Sequence, residues 1–422
     1  MVELQRLSNG LSVLWAPLAQ AATVAVLATA AVGSRHETPT ILGMAHCLEH
    51  MVFKGTKRYR TARQISQTLD SIGAHYNAYT SKDHTAYYVH TTPDHIDIAS
   101  SMISEMVFAP LLAARQLVSE KNVIIEEIKM YEDNPLMSID DHVENLIFAG
   151  HPLGRLIIGT RQTVKAVSAK TLRAFLTRHY WPANVAVVVA GQITPVVRQQ
   201  IIADFSRPTN RRRSTVSQSF ASRQKAARTA VSQRPTEQAQ VALGWPGVGQ
   251  RDRRLPAITL LSVILGGTMS SRLFTEVREK RGLAYSIRAS HQAYRETGAW
   301  VIQAGLDPKK VPQALQVIGR EISRIKKTAV SPVELRRAKD YLKGSLAISL
   351  EDASHVAEWY ARQYIVSGQW ATPAERLAEI AAVTAGDIQR VAKKLFSARQ
   401  MSIAAIGPLD SHVLATAVKH FS

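Results

Sequence analysis

The segments 4–7 and 11–15, each beginning and ending on an apolar residue, flank Asn9-Gly10, a pattern that predicts a β-hairpin. The run 22–32 is apolar almost throughout and reads as a buried strand, whereas 42–52 and 62–72 carry helical spacing, the second stopped by Gly73. Residues 75–80 and 85–90 alternate like paired strands, and 96–147 is mostly helical. The second half predicts strands at 240–244, 284–292 and 300–306, with long helices from 309 to 394. Strands and helices mix without strict βαβ alternation, so the predicted class is α+β, with mostly antiparallel sheets covered by helices on one face.

The pattern is used twice. Ala166-Val167-Ser168-Ala169 precedes a helical stretch to Tyr180 and the apolar strand Val185-Ala186-Val187-Val188-Val189-Ala190-Gly191. A shift of 216 positions brings Ala382-Val383-Thr384-Ala385, a helix to Phe396, and Met401-Ser402-Ile403-Ala404-Ala405-Ile406-Gly407 onto the same plan. Thr171 then meets Asp387, and both suit an N-cap. Two homologous domains are therefore expected at 1–205 and 236–422. The polar segment 206–235 between them has the composition of an exposed linker.

The chain's 422 residues are 46% hydrophobic and 20% charged, the composition of a globular protein rather than a disordered or fibrous one. The formal charge of +19 is uneven. Residues 1–205 are nearly neutral, 206–235 carry eight basic and no acidic side chains, including Arg211-Arg212-Arg213, and the rest holds 26 basic against 16 acidic. No zinc finger, RNP-type aromatic motif or basic heptad accompanies the excess, so a solvated basic surface is expected rather than specific nucleic-acid binding. One cysteine, Cys47, excludes an intrachain disulfide and an all-cysteine zinc site. Without an apolar span or a leader-like start, the expected setting is the cytoplasm, with no membrane partner.

Chemistry concentrates at His46-Cys47-Leu48-Glu49-His50. Histidines four apart on a helix share a face one turn apart, so both imidazoles reach one metal, with Glu49 beside them as a proton acceptor. The order HxxEH inverts the HExxH of zincins. Such a pentapeptide also fits a solvated helix face, but its flanks, Gly43-Met44-Ala45 and Met51-Val52-Phe53, are apolar. A zinc site needs a third protein ligand, and a second helical run, Glu120-Lys121-Asn122-Val123-Ile124-Ile125-Glu126-Glu127-Ile128, offers candidates. Glu120 and Glu127, two turns apart, share a face, whereas Glu126 points roughly 100° away.

In these motifs the chain resembles the pitrilysin/insulinase/mitochondrial-processing-peptidase family of zinc metallopeptidases, in its short two-domain bacterial form. His50 and Glu127 have 76 residues between them, the family's spacing, and Glu126-Glu127-Ile128-Lys129-Met130 matches its Glu-Glu-Ile-x-Met pattern. The resemblance implies Zn²⁺ held by His46, His50 and Glu127, with Glu49 as general base and Glu120 orienting a ligand histidine. Tyr76-Asn77-Ala78-Tyr79-Thr80-Ser81 resembles the family's active-site edge strand, so Asn77, Ala78, Tyr79 and Thr80, with Phe53, are the implied substrate contacts; from periodicity alone the segment is simply a hairpin strand. Arg278 and Tyr285, seven residues apart, match the pair that reaches the substrate, Tyr285 in an oxyanion-stabilising role. Shifting 46, 49 and 50 by 216 gives Ser262, Leu265 and Gly266, so the second half carries no metal motif.

The expected protein is thus a zinc endopeptidase acting on unfolded peptides bound in extended form. The resemblance implies a closed dimeric chamber, and one chain with both the metal motif and the Arg/Tyr pair points to a homodimer. Two features depart from the family pattern: Cys47 inside the motif, and a net basic second half where peptidases that accept basic presequences are expected to present acidic cavities. The rival expectation is a non-catalytic structural or assembly subunit, although such members typically lose a motif residue.

Overall fold

A computed structural model describes residues 2–209 and 218–421; Arg211, Arg212 and Arg213 lie outside them. The N-terminal sheet has six strands, β1 (Glu3–Arg6), β2 (Ser12–Pro17), β3 (Val24–Ala30), β4 (His75–Thr80), β5 (Thr85–Thr91) and β6 (Val185–Gly191). They are ordered β1-β2-β6-β3-β5-β4, and only β2 and β6 run parallel. The C-terminal sheet has five, β7 (Arg228–Gln233), β8 (Ala239–Val248), β9 (Ala284–Ala293), β10 (Thr297–Leu306) and β11 (Ser402–Gly407), ordered β7-β11-β8-β10-β9 with β7 parallel to β11. The molecule is a two-domain α+β fold.

The 216-residue shift is visible in the strand pairing. Ser12 pairs with Ala186 in the first sheet and Arg228 with Ser402 in the second, each partner displaced by the same interval. The helix Ala169–His179 leads into β6 as Ala385–Leu395 leads into β11. The N-caps differ from those expected. Ser168 and Thr384 hold them, while Thr171 and Asp387 sit three residues on, their side chains returning to the cap N–H groups. Thr171 and Asp387 thus complete capping boxes rather than start them.

Two expectations about organisation differ from the structure. The segment 206–235 ends in β7, an edge strand whose polar sequence hid it. The compact units are also not contiguous. One comprises Met1–Ile128, Arg155–Gln218 and Leu346–Ala371, and the other Lys129–Gly154, Ser219–Ser345 and Thr372–Ser422, rather than 1–205 and 236–422. The reason is an exchange of helices. Pro135–Ile147, from the first half of the chain, packs Ile139, Val143 and Ile147 on Ala242, Val301, Ala404 and Ile406 of the second sheet. Ala353–Ser367, from the second half, packs Val356, Ala357 and Tyr360 on Leu14, Ala25, Leu27 and Val188 of the first.

Each sheet is therefore covered on both faces, not one. In the first unit the opposite face packs on the helices Met44–Val52 and Ile96–Phe108. Burial from both sides explains why β3 and β6 are buried at every position, and apolar but for Thr29, instead of alternating.

Candidate metal centre

The helix Met44–Val52 begins at Gly43, whose φ of +83° and whose closeness to Ile158 both exclude a side chain; a Cβ there would stand 2.5 Å from the Ile158 carbonyl oxygen. Met44, Ala45, Cys47, Leu48, Met51 and Val52 are buried in the core, which turns His46, Glu49 and His50 toward the opposite side. On the helix Ala114–Asp133 the buried stripe is Leu117, Glu120, Ile124 and Ile128, with Glu127 half-buried at its flank and Glu126 exposed.

The structure brings His46, His50 and Glu127 together. The two imidazole Nε2 atoms are 3.3 Å apart, and Glu127 Oε2 lies 3.7 Å from that of His46 and 3.5 Å from that of His50. Donors about 2.0–2.1 Å from a tetrahedral zinc stand about 3.4 Å from one another, so the three gaps fit that ion. Glu127 Oε2 is buried without a hydrogen-bond partner, the condition of an atom awaiting a cation. Two histidines and one carboxylate also form a donor set of the catalytic zinc type. Among the described residues this is the one such cluster of three or more metal-binding side chains.

The surrounding charges are ordered. His50 Nδ1 is 2.8 Å from Glu120 Oε1, and Lys54 Nζ is 2.6 Å from Glu120 Oε2. Burial alone would lower the His50 pKa, but the carboxylates of Glu120, hydrogen-bonded to Nδ1, and of Glu127, facing Nε2, outweigh it and lift it to about 9. His46 is pushed down, first by burial and then by the neighbouring His50. Burial raises Glu120, but His50 and Lys54 more than reverse this and hold it below the ordinary carboxylate range. Glu49 is raised by burial, against the pull of Thr80, whose hydroxyl donates to Glu49 Oε2 at 2.5 Å. A half-buried carboxylate poised upward beside a metal-type cluster suits proton transfer.

Thr80 ends β4, the free edge of the first sheet. Along that edge Asn77 is exposed, and its side-chain oxygen accepts the N–H of Ala78 at 2.9 Å. Ala78 packs toward the core, whereas Tyr79 faces the helix Ala353–Ser367 near Glu358 and Arg362. Phe53 is the C-terminal cap of the His46 helix and packs on the same core. Arg278 and Tyr285 belong to the second unit; the Arg278 guanidinium lies 4.8 Å from the Phe274 ring centre and 5.7 Å from that of Tyr285. Tyr285 is 73% exposed.

Three contacts were not foreseen from sequence. Lys54 could have been found as the residue four beyond His50. Thr80, placed among the substrate contacts, in fact meets Glu49. Glu37, which bonds the N–H groups of Gly43 and Ala45, lies in irregular chain and leaves no periodic signal.

Comparisons with known proteins identify a family. Residues 13–161 match the model described as insulinase (peptidase family M16), and residues 166–342 match the peptidase M16 inactive domain. An "uncharacterized zinc protease" of Streptomyces coelicolor is 36% identical over 90% of this chain and 83% of its own length. The "uncharacterized zinc protease YmxG" of Bacillus subtilis is 32% identical over 97% and 98% of the respective chains. A protease from Helicobacter pylori of known crystal structure superposes with a TM-score of 0.92 at 26% identity, over 97% of this chain and 99% of that one.

Proposed function

This chain belongs to the insulinase (peptidase M16) family, and on that footing we propose that it is a zinc-dependent endopeptidase cleaving unfolded peptides bound in extended form. The observation that carries the proposal is the convergence of His46, His50 and Glu127 within 3.3–3.7 Å, with Glu49 on the same helix. Those three side chains hold the metal. When bound, zinc supplies the Lewis acidity that polarises a peptide carbonyl and acidifies water.

Glu49 takes the proton of the attacking water at its carboxylate and returns it to the leaving amine. Glu120 accepts the Nδ1–H of His50, fixing the tautomer that leaves Nε2 free as a ligand, and Lys54 keeps Glu120 anionic. The substrate adds as a strand along the free edge of β4. The Ala78 N–H supports this, because it is met by the Asn77 side chain rather than by a neighbouring strand. Arg278 and Tyr285 hold the substrate and its developing oxyanion. The working form is a homodimer enclosing a chamber that excludes folded proteins.

The test is cleavage of a mixed set of quenched peptides of about 10–25 residues by wild type and Glu49→Gln, both zinc-loaded. Activity confined to wild type is expected, on the scale of general-base catalysis, about 10²–10⁴-fold. Stoichiometric zinc without cleavage by either protein would make the chain a non-catalytic subunit.

A further inference from the structure

The segment 33–37 touches two parts of the first unit that the proposed chemistry must hold in register. At one end is the metal-site helix. A helix start leaves its first N–H groups without intrahelical partners, and here the cap residue is a glycine with no acidic residue in the first turn. Glu37, six residues upstream and 3% exposed, supplies what is missing. Its Oε1 accepts from Ala45 N at 2.7 Å and its Oε2 from Gly43 N at 2.8 Å. Both oxygens act as acceptors, so the Glu37 side chain satisfies two N–H groups at the helix start.

The other end is the turn between β4 and β5. The Gly33 backbone lies so close that a Cβ would stand 2.1 Å from Ser81 O. Ser34 N and Arg35 N each donate at 3.1 Å, to Ser81 O and Lys82 O. The Arg35 guanidinium meets Asp83 at 2.6 Å, both side chains buried. Arg155 ties the two ends together: its guanidinium donates to Glu37 O at 2.6 Å, and its own carbonyl accepts from Lys82 Nζ at 2.5 Å. The circuit closes through Thr80, the last residue of β4, on Glu49 of the metal-site helix.

We propose that 33–37 is a strap that sets the metal-site helix against the edge strand, with Glu37 as its positioning residue and the Arg35–Asp83 pair as its anchor. The assignment rests on the metal-centre reading above. It predicts that a change at Asp83, on the turn between β4 and β5, is felt at the metal.

The experiment compares full-length wild type, Glu37→Gln, Asp83→Asn and the double variant. Zinc affinity is measured by chelator competition, and the visible absorption of the Co²⁺-substituted proteins is recorded; neither needs peptidase activity. Glu37→Gln keeps the volume but turns one acceptor into a donor facing an N–H. Expected are a loss of zinc affinity of about tenfold or more in each single variant, within the range for residues that orient ligands, an altered Co²⁺ spectrum, and a double variant little worse than the more severe single one. Wild-type affinity and spectrum in Asp83→Asn, or losses that simply multiply, would overturn the strap, as would variants that only melt at lower temperature. Should Glu37→Gln fail to fold, Asp83→Asn alone decides. Zinc binding by wild type without peptide cleavage refutes the peptidase reading and leaves this comparison intact.

Discussion

Lys54 Nζ stands 2.6 Å from one oxygen of Glu120, whose other oxygen meets His50 at 2.8 Å. The three form a line from a half-buried cation through a buried carboxylate to the imidazole of a proposed zinc ligand. Removing the middle member leaves His50 without an orienting partner and Lys54 without its counter-ion. Glu120→Gln should lower zinc affinity about 10–100-fold while the fold, followed by circular dichroism, persists. Lys54→Met should have a smaller effect in the same direction.

Thr80 and Glu49 are joined by a different logic, because the hydroxyl contacts the proposed base and none of the three ligand atoms. Thr80→Val keeps the shape and loses the donor. Zinc content should stay at wild type and KM nearly so, while kcat falls on the order of tenfold, a fraction of what general-base catalysis contributes. An unchanged kcat would remove Thr80 from the machinery.

Metal removal is a separate measurement. Dialysis against a strong chelator should abolish cleavage, and one equivalent of zinc should restore it. The metal must displace the proton held on His50, whose pKa is lifted to about 9, so zinc uptake should release protons at pH 7. Calorimetry in buffers of different ionisation enthalpy reads that release directly.

Cys47 lies between two site residues in sequence yet is fully buried in the core. Burial pushes its thiol up to about 12, so almost no thiolate exists at pH 8. Iodoacetamide should leave the native protein unlabelled and active, and should label one site per chain only after denaturation. Mass spectrometry of the intact chain is the check.

His84 adds a pH dependence of stability. It is buried, with Nδ1 3.0 Å from the Ser81 hydroxyl and Nε2 without a partner. Burial, then the nearby Arg362, lowers its pKa to about 4. The folded state thus binds fewer protons than the unfolded one between about pH 4 and 6.5. This contribution to stability is complete above pH 6.5 and is lost as pH falls toward 4, at about 1.4 kcal/mol per pH unit. Urea titrations of the metal-free protein across that range should show the slope, and His84→Gln should flatten it.

How far the sequence reaches depends on whether the partner of a residue lies on the same element. His46, Glu49 and His50 share one helix, so their spacing alone sets their common face. Glu127 needed a second helix and a family spacing to be separated from Glu126, although the stripe Leu117, Glu120, Ile124, Ile128 fixes the same rotation. The strand β7 was missed because Arg228–Gln233 is polar, yet the 216-residue shift applied to β2 lands on those six residues. Glu37 was out of reach: its partners are backbone N–H groups, which carry no sequence signature. The exchange of helices was equally hidden, since an amphipathic helix reveals that it covers something without revealing what.

That exchange has a consequence for ancestry. In the 216-residue repeat, Pro135–Ile147 and Ala353–Ser367 occupy corresponding places, and each is given to the other half's sheet. A chain of one repeat alone would expose the sheet face bearing Leu14, Leu27 and Val188 while carrying a helix with nothing to cover. Two copies trading that helix would complete each other, so the unit that was duplicated is most simply a swapped dimer, and fusion turned an encounter between molecules into a property of one.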